Sequence, residues 1–189
     1  MTQKEFIKAL DKKRYSYEIE GDKVVVTNDR EVYLEYLTSI PPGVVFRNGA
    51  GVDLSALTSL PPDVEFRNGG GVWLDSLTSL PPDVEFRNGG GVYLGALTSL
   101  PPGVEFKNGG SVDLESLTSI TPGVVFRNEG DVYLESLTSI SPGMEFKNGG
   151  DVYLRALIGG HFKDWKGNIE GIDEKRLLNK MIKDGVFER

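Results

Sequence analysis

Few side chains in this sequence have the types and spacing needed for acid–base or metal chemistry. His161 is the only histidine, and Asp164 follows it closely, so the two could act as a general base with its partner or as metal ligands. The chain has no cysteine, and a lone histidine offers too few ligands for a metal site. A structural role for His161 is therefore favoured, and the sequence predicts neither a metal nor a cofactor.

Paired carboxylates are the other possible source of chemistry. Asp53 with Asp75, and Asp113 with Glu115, have the composition of the two acids of a glycoside hydrolase. Both pairs lie in a repetitive segment in which no pocket is indicated. A carboxylate-dependent hydrolase is therefore the weakest alternative, and we predict that the protein is not an enzyme.

The glycine triplets at residues 69–71 and 89–91 resemble phosphate-binding loops in composition alone. No Lys-Ser or Lys-Thr follows them, and no helix is predicted to begin there. They return in phase with a longer repeat, so we interpret them as corners of that repeat.

Most of the chain consists of a unit of 20 residues. Six full copies begin at Val32, Val52, Val72, Val92, Val112 and Val132, and a seventh begins at Val152 and decays after Leu157. Such a period is typical of a solenoid, because one unit can bury its apolar side only by stacking on its neighbours. The sequence therefore predicts a mainly β fold, a parallel-strand solenoid of about seven coils.

Each unit contains two strand patterns. Val72-Trp73-Leu74 alternates as a short strand with Val and Leu inward, and LTSLPP then predicts an extended arc. Val84-x-Phe86-x-Asn88 predicts a second strand with all three side chains inward, followed by a glycine corner. Because an unpaired buried amide costs about 1–3 kcal/mol, we expect the stacked Asn residues to form a hydrogen-bonded ladder.

The two ends of the chain lack the repeat and are predicted to cap it. Residues 1–31 form the N-terminal cap, residues 32–157 the solenoid and residues 158–189 a helical C-terminal cap, all as one structural unit. Thr2 and Glu5 have the spacing of a capping box and predict a helix over residues 3–13. Strands are predicted over 15–19 and 23–27, and a second helix over 174–184.

Charge and composition exclude several functions. Residues 32–151 carry 15 acidic and 6 basic side chains, which argues against binding nucleic-acid phosphates. No apolar run approaches the roughly 20 residues of a membrane span, and the N-terminus lacks the apolar run of a signal peptide. We therefore predict no nucleic acid or membrane partner, and a location in the cytoplasm.

The run VxLxxLTSLPPxV resembles bacterial leucine-rich repeats, whose units also place LTSLP after an LxL strand. The resemblance covers residues 32–157 and extends to repeat proteins encoded by bacteria and their phages. It implies a horseshoe with one concave sheet and a role in protein recognition. In this chain the Asn follows Phe on the other side of the unit, so a straighter two-sided β-solenoid stays open.

The first strand of each unit carries the best candidate site. Its outward side chains combine aromatic and acidic groups, which are typical of interface anchors and of a surface that attracts a basic partner. The predicted partner-binding residues are Tyr33, Trp73, Tyr93, Tyr133, Tyr153, Asp53, Asp75, Asp113, Glu115 and Glu135. The alternative is that the aromatic rings stack for stability alone.

From these residues we predict a non-enzymatic repeat scaffold that binds another protein, one with a basic surface. If the chain is encoded by a phage, inhibition of a host protein is one form of this function. The alternative is a structural or self-assembling protein, in which solenoid ends or lateral faces form a homo-oligomer.

Overall fold

A computed structural model describes residues 1–139, 144–154 and 156 of the chain. These residues form a parallel β-solenoid in which equivalent strands of successive coils, 20 residues apart, pair with each other, as Val32 does with Val52 and Val52 with Val72. The predicted fold class is confirmed. The helix predicted over 174–184 and the side chain of His161 lie outside the described residues.

The N-terminal segment begins with helix α1, Gln3–Lys13, as the capping box predicts. The Thr2 hydroxyl accepts the N–H of Glu5 at 3.3 Å, and the Glu5 carboxylate accepts the N–H of Thr2 at 2.7 Å. An antiparallel hairpin of β1, Tyr17–Glu20, and β2, Lys23–Val26, follows. It turns at Gly21, whose φ of +61° suits the first central residue of a type II′ turn.

Short strands then follow along each coil. They are β3 (Val32–Tyr33), β4 (Val44–Phe46), β5 (Val52–Asp53), β6 (Glu65–Phe66), β7 (Val72–Trp73), β8 (Glu85–Phe86), β9 (Val92–Tyr93), β10 (Ser99–Leu100), β11 (Glu105–Phe106), β12 (Val112–Asp113), β13 (Ser119–Ile120), β14 (Val125–Phe126), β15 (Val132–Tyr133), β16 (Glu145–Phe146) and β17 (Val152–Tyr153).

The described strands form two main sheets, one for each strand pattern of the repeat. One sheet has the order β1-β2-β4-β6-β8-β11-β14-β16, and the other has the order β17-β15-β12-β9-β7-β5-β3. A third, two-stranded sheet pairs β10 with β13. Because both sides of the coil carry a sheet, the chain forms a two-sided β-solenoid rather than a horseshoe with one sheet.

Columns of identical side chains fill the space between the two sheets. The six phenylalanines of the second strand pattern stack ring on ring, with centroids 5.1–5.6 Å apart. Val72, Leu74 and Leu77 are fully buried, as their predicted inward positions require. Phe6 and Leu10 of α1 join the same core, so the helix covers the first coil.

The N-terminal cap is also part of the solenoid. Strand β2 pairs in parallel with β4, Val24 opposite Val44 and Val26 opposite Phe46. Asn28 is buried and begins the Asn column. The Val-x-Val-x-Asn run of residues 24–28 follows the second strand pattern with Val in place of Phe, so the stacked structure begins half a coil before Val32.

A column of buried Asn residues runs beside the phenylalanines. Its seven members are Asn28, Asn48, Asn68, Asn88, Asn108, Asn128 and Asn148, each 0–7% exposed. The Nδ2 of Asn88 donates to the carbonyl oxygens of Gly70 at 3.0 Å, Gly90 at 3.0 Å and Gly91 at 3.1 Å. The predicted inward ladder is therefore present, and the amide groups bond to the backbone of the corners instead of to each other.

The glycine corners stack directly on one another, which makes Gly90→Ala a destabilising change. A Cβ at Gly90 would lie 2.6 Å from the backbone nitrogen of Gly71 and 2.7 Å from the carbonyl carbon of Gly70. We expect a loss of about 1–3 kcal/mol in the free energy of unfolding, measured by urea denaturation. The first coil has Ala50 at the same position, so the corner itself accepts alanine there. The expected loss at Gly90 therefore comes from stacking on another glycine corner.

Gly95→Ala is the matched control for that substitution. A Cβ at Gly95 would meet only the Asp75 carboxylate, at 3.8 Å, and the residue does not have a positive φ. The change should be neutral or stabilising by up to about 1 kcal/mol, because alanine restricts the unfolded chain. Equal stability of the two variants would contradict the account of the corner.

Candidate functional site

The seven-stranded sheet places the predicted aromatic and acidic residues in one outward column. Its register sets Tyr33 beside Asp53, Asp53 beside Trp73, and Trp73 beside Tyr93. The column continues through Asp113, Tyr133 and Tyr153. Asp75, Glu115 and Glu135 lie two residues further along their coils, in the turn that follows the strand. We call these ten residues the aromatic/acidic face.

Four aromatic side chains of this face form two stacked pairs. The Trp73 and Tyr93 rings are 5.4 Å apart with an angle of 7° between their planes, and Tyr133 and Tyr153 are 4.9 Å apart at 8°. Stacking turns the ring faces toward each other, so it leaves ring edges for contact with a partner. Tyr33 at 49% and Tyr153 at 41% are the most exposed of the five aromatic residues, and the other three are half-buried.

Glycine residues of two successive corners make room for the Trp73 ring. A Cβ at Gly51 would lie 2.6 Å from Cζ3 of Trp73, and a Cβ at Gly71 would lie 3.1 Å from its Cη2. Gly91 approaches the Tyr93 hydroxyl in the same way, at 3.0 Å. The sequence alone did not identify these glycines as supports of the face. Their positions are taken by Ser111 and Asp131 in later coils, and this restriction of glycine to the coils around Trp73 and Tyr93 was the available signal.

The two aspartates that interrupt the aromatic column have a local structural role. Asp53 Oδ1 accepts the N–H of Ser55 at 3.0 Å, and Asp113 Oδ1 accepts the N–H of Glu115 at 3.2 Å. These are the bonds of an Asx turn, in which the carboxylate holds the chain as it leaves the strand. Asp53 and Asp113 are thus held on the face with one oxygen engaged.

The ten residues of this face include five carboxylates and no Lys or Arg. Partial burial raises the pKa of Asp75, and the charges of Asp113 and Asp53 raise it further. Hydrogen bonding to the Glu31 carboxylate raises the pKa of Tyr33. Within the described part of the chain, no Lys or Arg forms an ion pair with Asp53, Asp75, Asp113 or Glu115.

The outer surface of the eight-stranded sheet is different, because its acidic column is neutralised by an adjacent basic column. Arg67 pairs with Glu65 at 2.6 Å, and Lys107 pairs with both Glu85, at 3.1 Å, and Glu105. The bonds from Lys23 and Arg67 lower the pKa of Glu65 below its usual value. We therefore interpret that surface as solvated and charge-balanced.

A groove of about 500 Å³ lies along the proline-rich arc, away from the candidate face. Its lining includes Pro62, Asp63, Pro82 and Asp83. The two aspartates have φ of +60°, at a position that is Gly43, Gly103 or Gly123 in other coils. The carboxylate pairs considered for hydrolysis are not among the lining residues of this groove.

In the described ranges, no helix combines the length and the hydropathy that crossing a membrane requires. Comparisons with protein-family models, with curated proteins and with solved structures find no match to this chain.

Proposed function

We propose that this protein is a non-enzymatic repeat scaffold that binds another protein through the aromatic/acidic face. The observation that carries the proposal is the contrast between the two sides of the solenoid. One side pairs its carboxylates with Lys and Arg. On the other side, no ion pair within the described residues involves Asp53, Asp75, Asp113 or Glu115, and these carboxylates lie beside half-exposed aromatic rings.

The chemistry of the face favours a partner that presents Lys or Arg side chains. Asp75 and Glu115 flank Gly95, where the absence of a side chain leaves room for a basic group of the partner. A cation placed there would oppose both the partial burial and the charges of Asp113 and Asp53 that raise the pKa of Asp75. The edges of Trp73 and Tyr93 would supply the apolar anchor, as aromatic residues commonly do at interfaces.

The leucine-rich-repeat resemblance supports the same function, since it implies protein recognition. If the chain is phage-encoded, we propose that it blocks a host protein by covering a basic surface of that protein in the cytoplasm.

The test is Trp73→Ala combined with Tyr93→Ala. A tagged protein captures its partner from host lysate, the partner is identified by mass spectrometry, and the affinity is then measured with purified components. We expect the double variant to bind at least about 30-fold more weakly, the effect of losing a hot spot worth about 2 kcal/mol. Circular dichroism should show an unchanged fold, because both rings lie outside the main core.

The control variant carries Arg67→Ala and Arg87→Ala on the charge-balanced side. It should bind as the unmodified protein does, because the proposed partner does not touch that surface. Asp75→Asn combined with Glu115→Gln should slow association and reduce its salt dependence. Equal affinity of the Trp73/Tyr93 variant and the unmodified protein would refute the assignment of the face.

A self-assembling protein is the second candidate, favoured by the edge strand β1. This strand pairs only with β2 among the described strands, most of it is exposed, and its Ile19 is 52% exposed. An open edge can add a strand from another copy. Light scattering over a range of concentrations distinguishes the candidates, since a mass that rises with concentration favours assembly and a constant monomer mass favours the scaffold.

A further inference from the structure

Five corners of the solenoid place a glycine directly after the buried asparagine. The pairs are Asn48-Gly49, Asn68-Gly69, Asn88-Gly89, Asn108-Gly109 and Asn148-Gly149, whereas Asn28 precedes Asp29 and Asn128 precedes Glu129. An asparagine followed by glycine is chemically labile, because no side chain hinders attack by the glycine nitrogen on the amide carbon. We infer that these five corners are sites of covalent deamidation that the folded solenoid keeps closed and an open coil exposes.

The reaction needs only the chain and water. The backbone nitrogen of Gly89, after losing its proton to base, bonds to Cγ of Asn88. The bond from Cγ to Nδ2 then breaks, and the nitrogen leaves as ammonia. Water opens the resulting succinimide at either carbonyl, which yields aspartate or isoaspartate. The net change is the gain of one water and the loss of one ammonia.

Hydrogen bonds in the folded corner hold both reacting nitrogens. The N–H of Gly89 donates to the carbonyl of Asn68 at 2.8 Å, so its proton is engaged. The leaving nitrogen of Asn88 donates to the three corner carbonyls described above. Asn88 Oδ1 has no donor within the described chain, so an oxyanion formed on it would be unsupported.

Packing also prevents ring closure. Asn88 is only 2% exposed, and a Cβ at Gly89 would overlap the carbonyl oxygen of Gly69. To form the five-membered ring, the Gly89 nitrogen must move to bonding distance from Cγ. That movement breaks the hydrogen bond from Gly89 to Asn68 and displaces a buried amide that is bonded to three carbonyls, so the reaction requires local opening.

Deamidation would leave a corner that cannot close again. An aspartate at position 88 has only acceptors, and it would face the carbonyl oxygens of three glycines. An isoaspartate also adds a backbone atom to a corner whose coil repeats at 20 residues. Opening of a coil would thus become irreversible after the chemical step.

The test compares the full chain in native buffer and in urea, at mildly alkaline pH, by peptide-mapping mass spectrometry. In urea, we expect the five Asn-Gly pairs to convert while Asn28 and Asn128 do not. In native buffer, conversion at Asn68, Asn88 and Asn108 should be at least about 100-fold slower, the protection given by an opening free energy of about 2.7 kcal/mol.

Asn128 is the matched control within the chain. Its Nδ2 donates to three corner carbonyls at 3.1, 2.9 and 3.2 Å, as in the other corners, but Glu129 follows it. Glu129→Gly should make Asn128 convert in urea and leave it protected in native buffer. Equal rates in the two buffers at the inner corners would overturn the inference, as would the return of the deamidated chain to the native circular dichroism spectrum.

Discussion

Phe106→Ala should lower the free energy of unfolding by about 3–5 kcal/mol, the range for truncating a fully buried phenylalanine. The Phe106 side chain is 0% exposed, and its ring stacks on Phe86 at 5.3 Å and on Phe126 at 5.1 Å. Its loss would leave a cavity between two rings that cannot close up, because each belongs to a coil fixed by hydrogen bonds. Urea denaturation followed by circular dichroism measures the change.

Phe106→Leu is the control for that cavity. Leucine keeps most of the buried volume but not the planar stack, so we expect a smaller loss than for alanine. The stability of a repeat protein depends on the interfaces between neighbouring units. A deep cavity in a central coil can therefore also make the two halves of the solenoid unfold in separate transitions. A loss below about 1 kcal/mol for Phe106→Ala would contradict the continuous phenylalanine column.

Asn88→Ala should cost about 2–4 kcal/mol, since it removes three hydrogen bonds that each contribute about 0.5–1.5 kcal/mol. This loss is smaller than the cost of leaving three buried carbonyl oxygens without any hydrogen bond, because each of these oxygens also accepts a backbone N–H. Gly70 O accepts the N–H of Gly90, Gly90 O that of Gly110, and Gly91 O that of Val72. The measurement is again the free energy of unfolding in urea.

Asn28→Ala provides a graded control in the same column. The Asn28 amide has one such bond, to the Arg30 carbonyl at 2.7 Å, so its removal should cost about one third as much. Asn88→Asp should be worse than Asn88→Ala at neutral pH, because a carboxylate would face carbonyl oxygens. The folded chain would raise the pKa of that acid, so its destabilisation should grow as pH rises above about 4, the ordinary aspartate value. Equal losses for Asn28→Ala and Asn88→Ala would argue against the corner ladder.

The parts of the fold that depend on local pattern were predicted from the sequence. The alternation of residues along the strand predicts that Val84, Phe86 and Asn88 point inward. All three side chains are buried in the structure, so this prediction is confirmed. The capping box decided where α1 begins, because the Thr2–Glu5 bonds are made within four residues. The period of 20 residues decided that equivalent side chains form columns.

Other features needed the stacked structure. The continuation of the sheet into β2 depends on pairing with β4, which a hairpin pattern alone does not reveal. The Asn88 amide bonds to the carbonyl oxygens of Gly70, Gly90 and Gly91, which only the folded path of the glycine corners brings within reach. The clearance of Trp73 over Gly51 likewise depends on how far one coil is offset from the next.

By itself, the sequence determined the repeat, the inward and outward side of each strand, and the column that joins Trp73 to Tyr93. These follow from the chain's own periodicity, which is independent of distant contacts. Only the tertiary structure decided that both sides of each coil form sheets and which carboxylates form ion pairs with Lys or Arg. Those properties depend on distances between coils, because a carboxylate is neutralised only when a basic group of the same or an adjacent coil lies within a few ångströms.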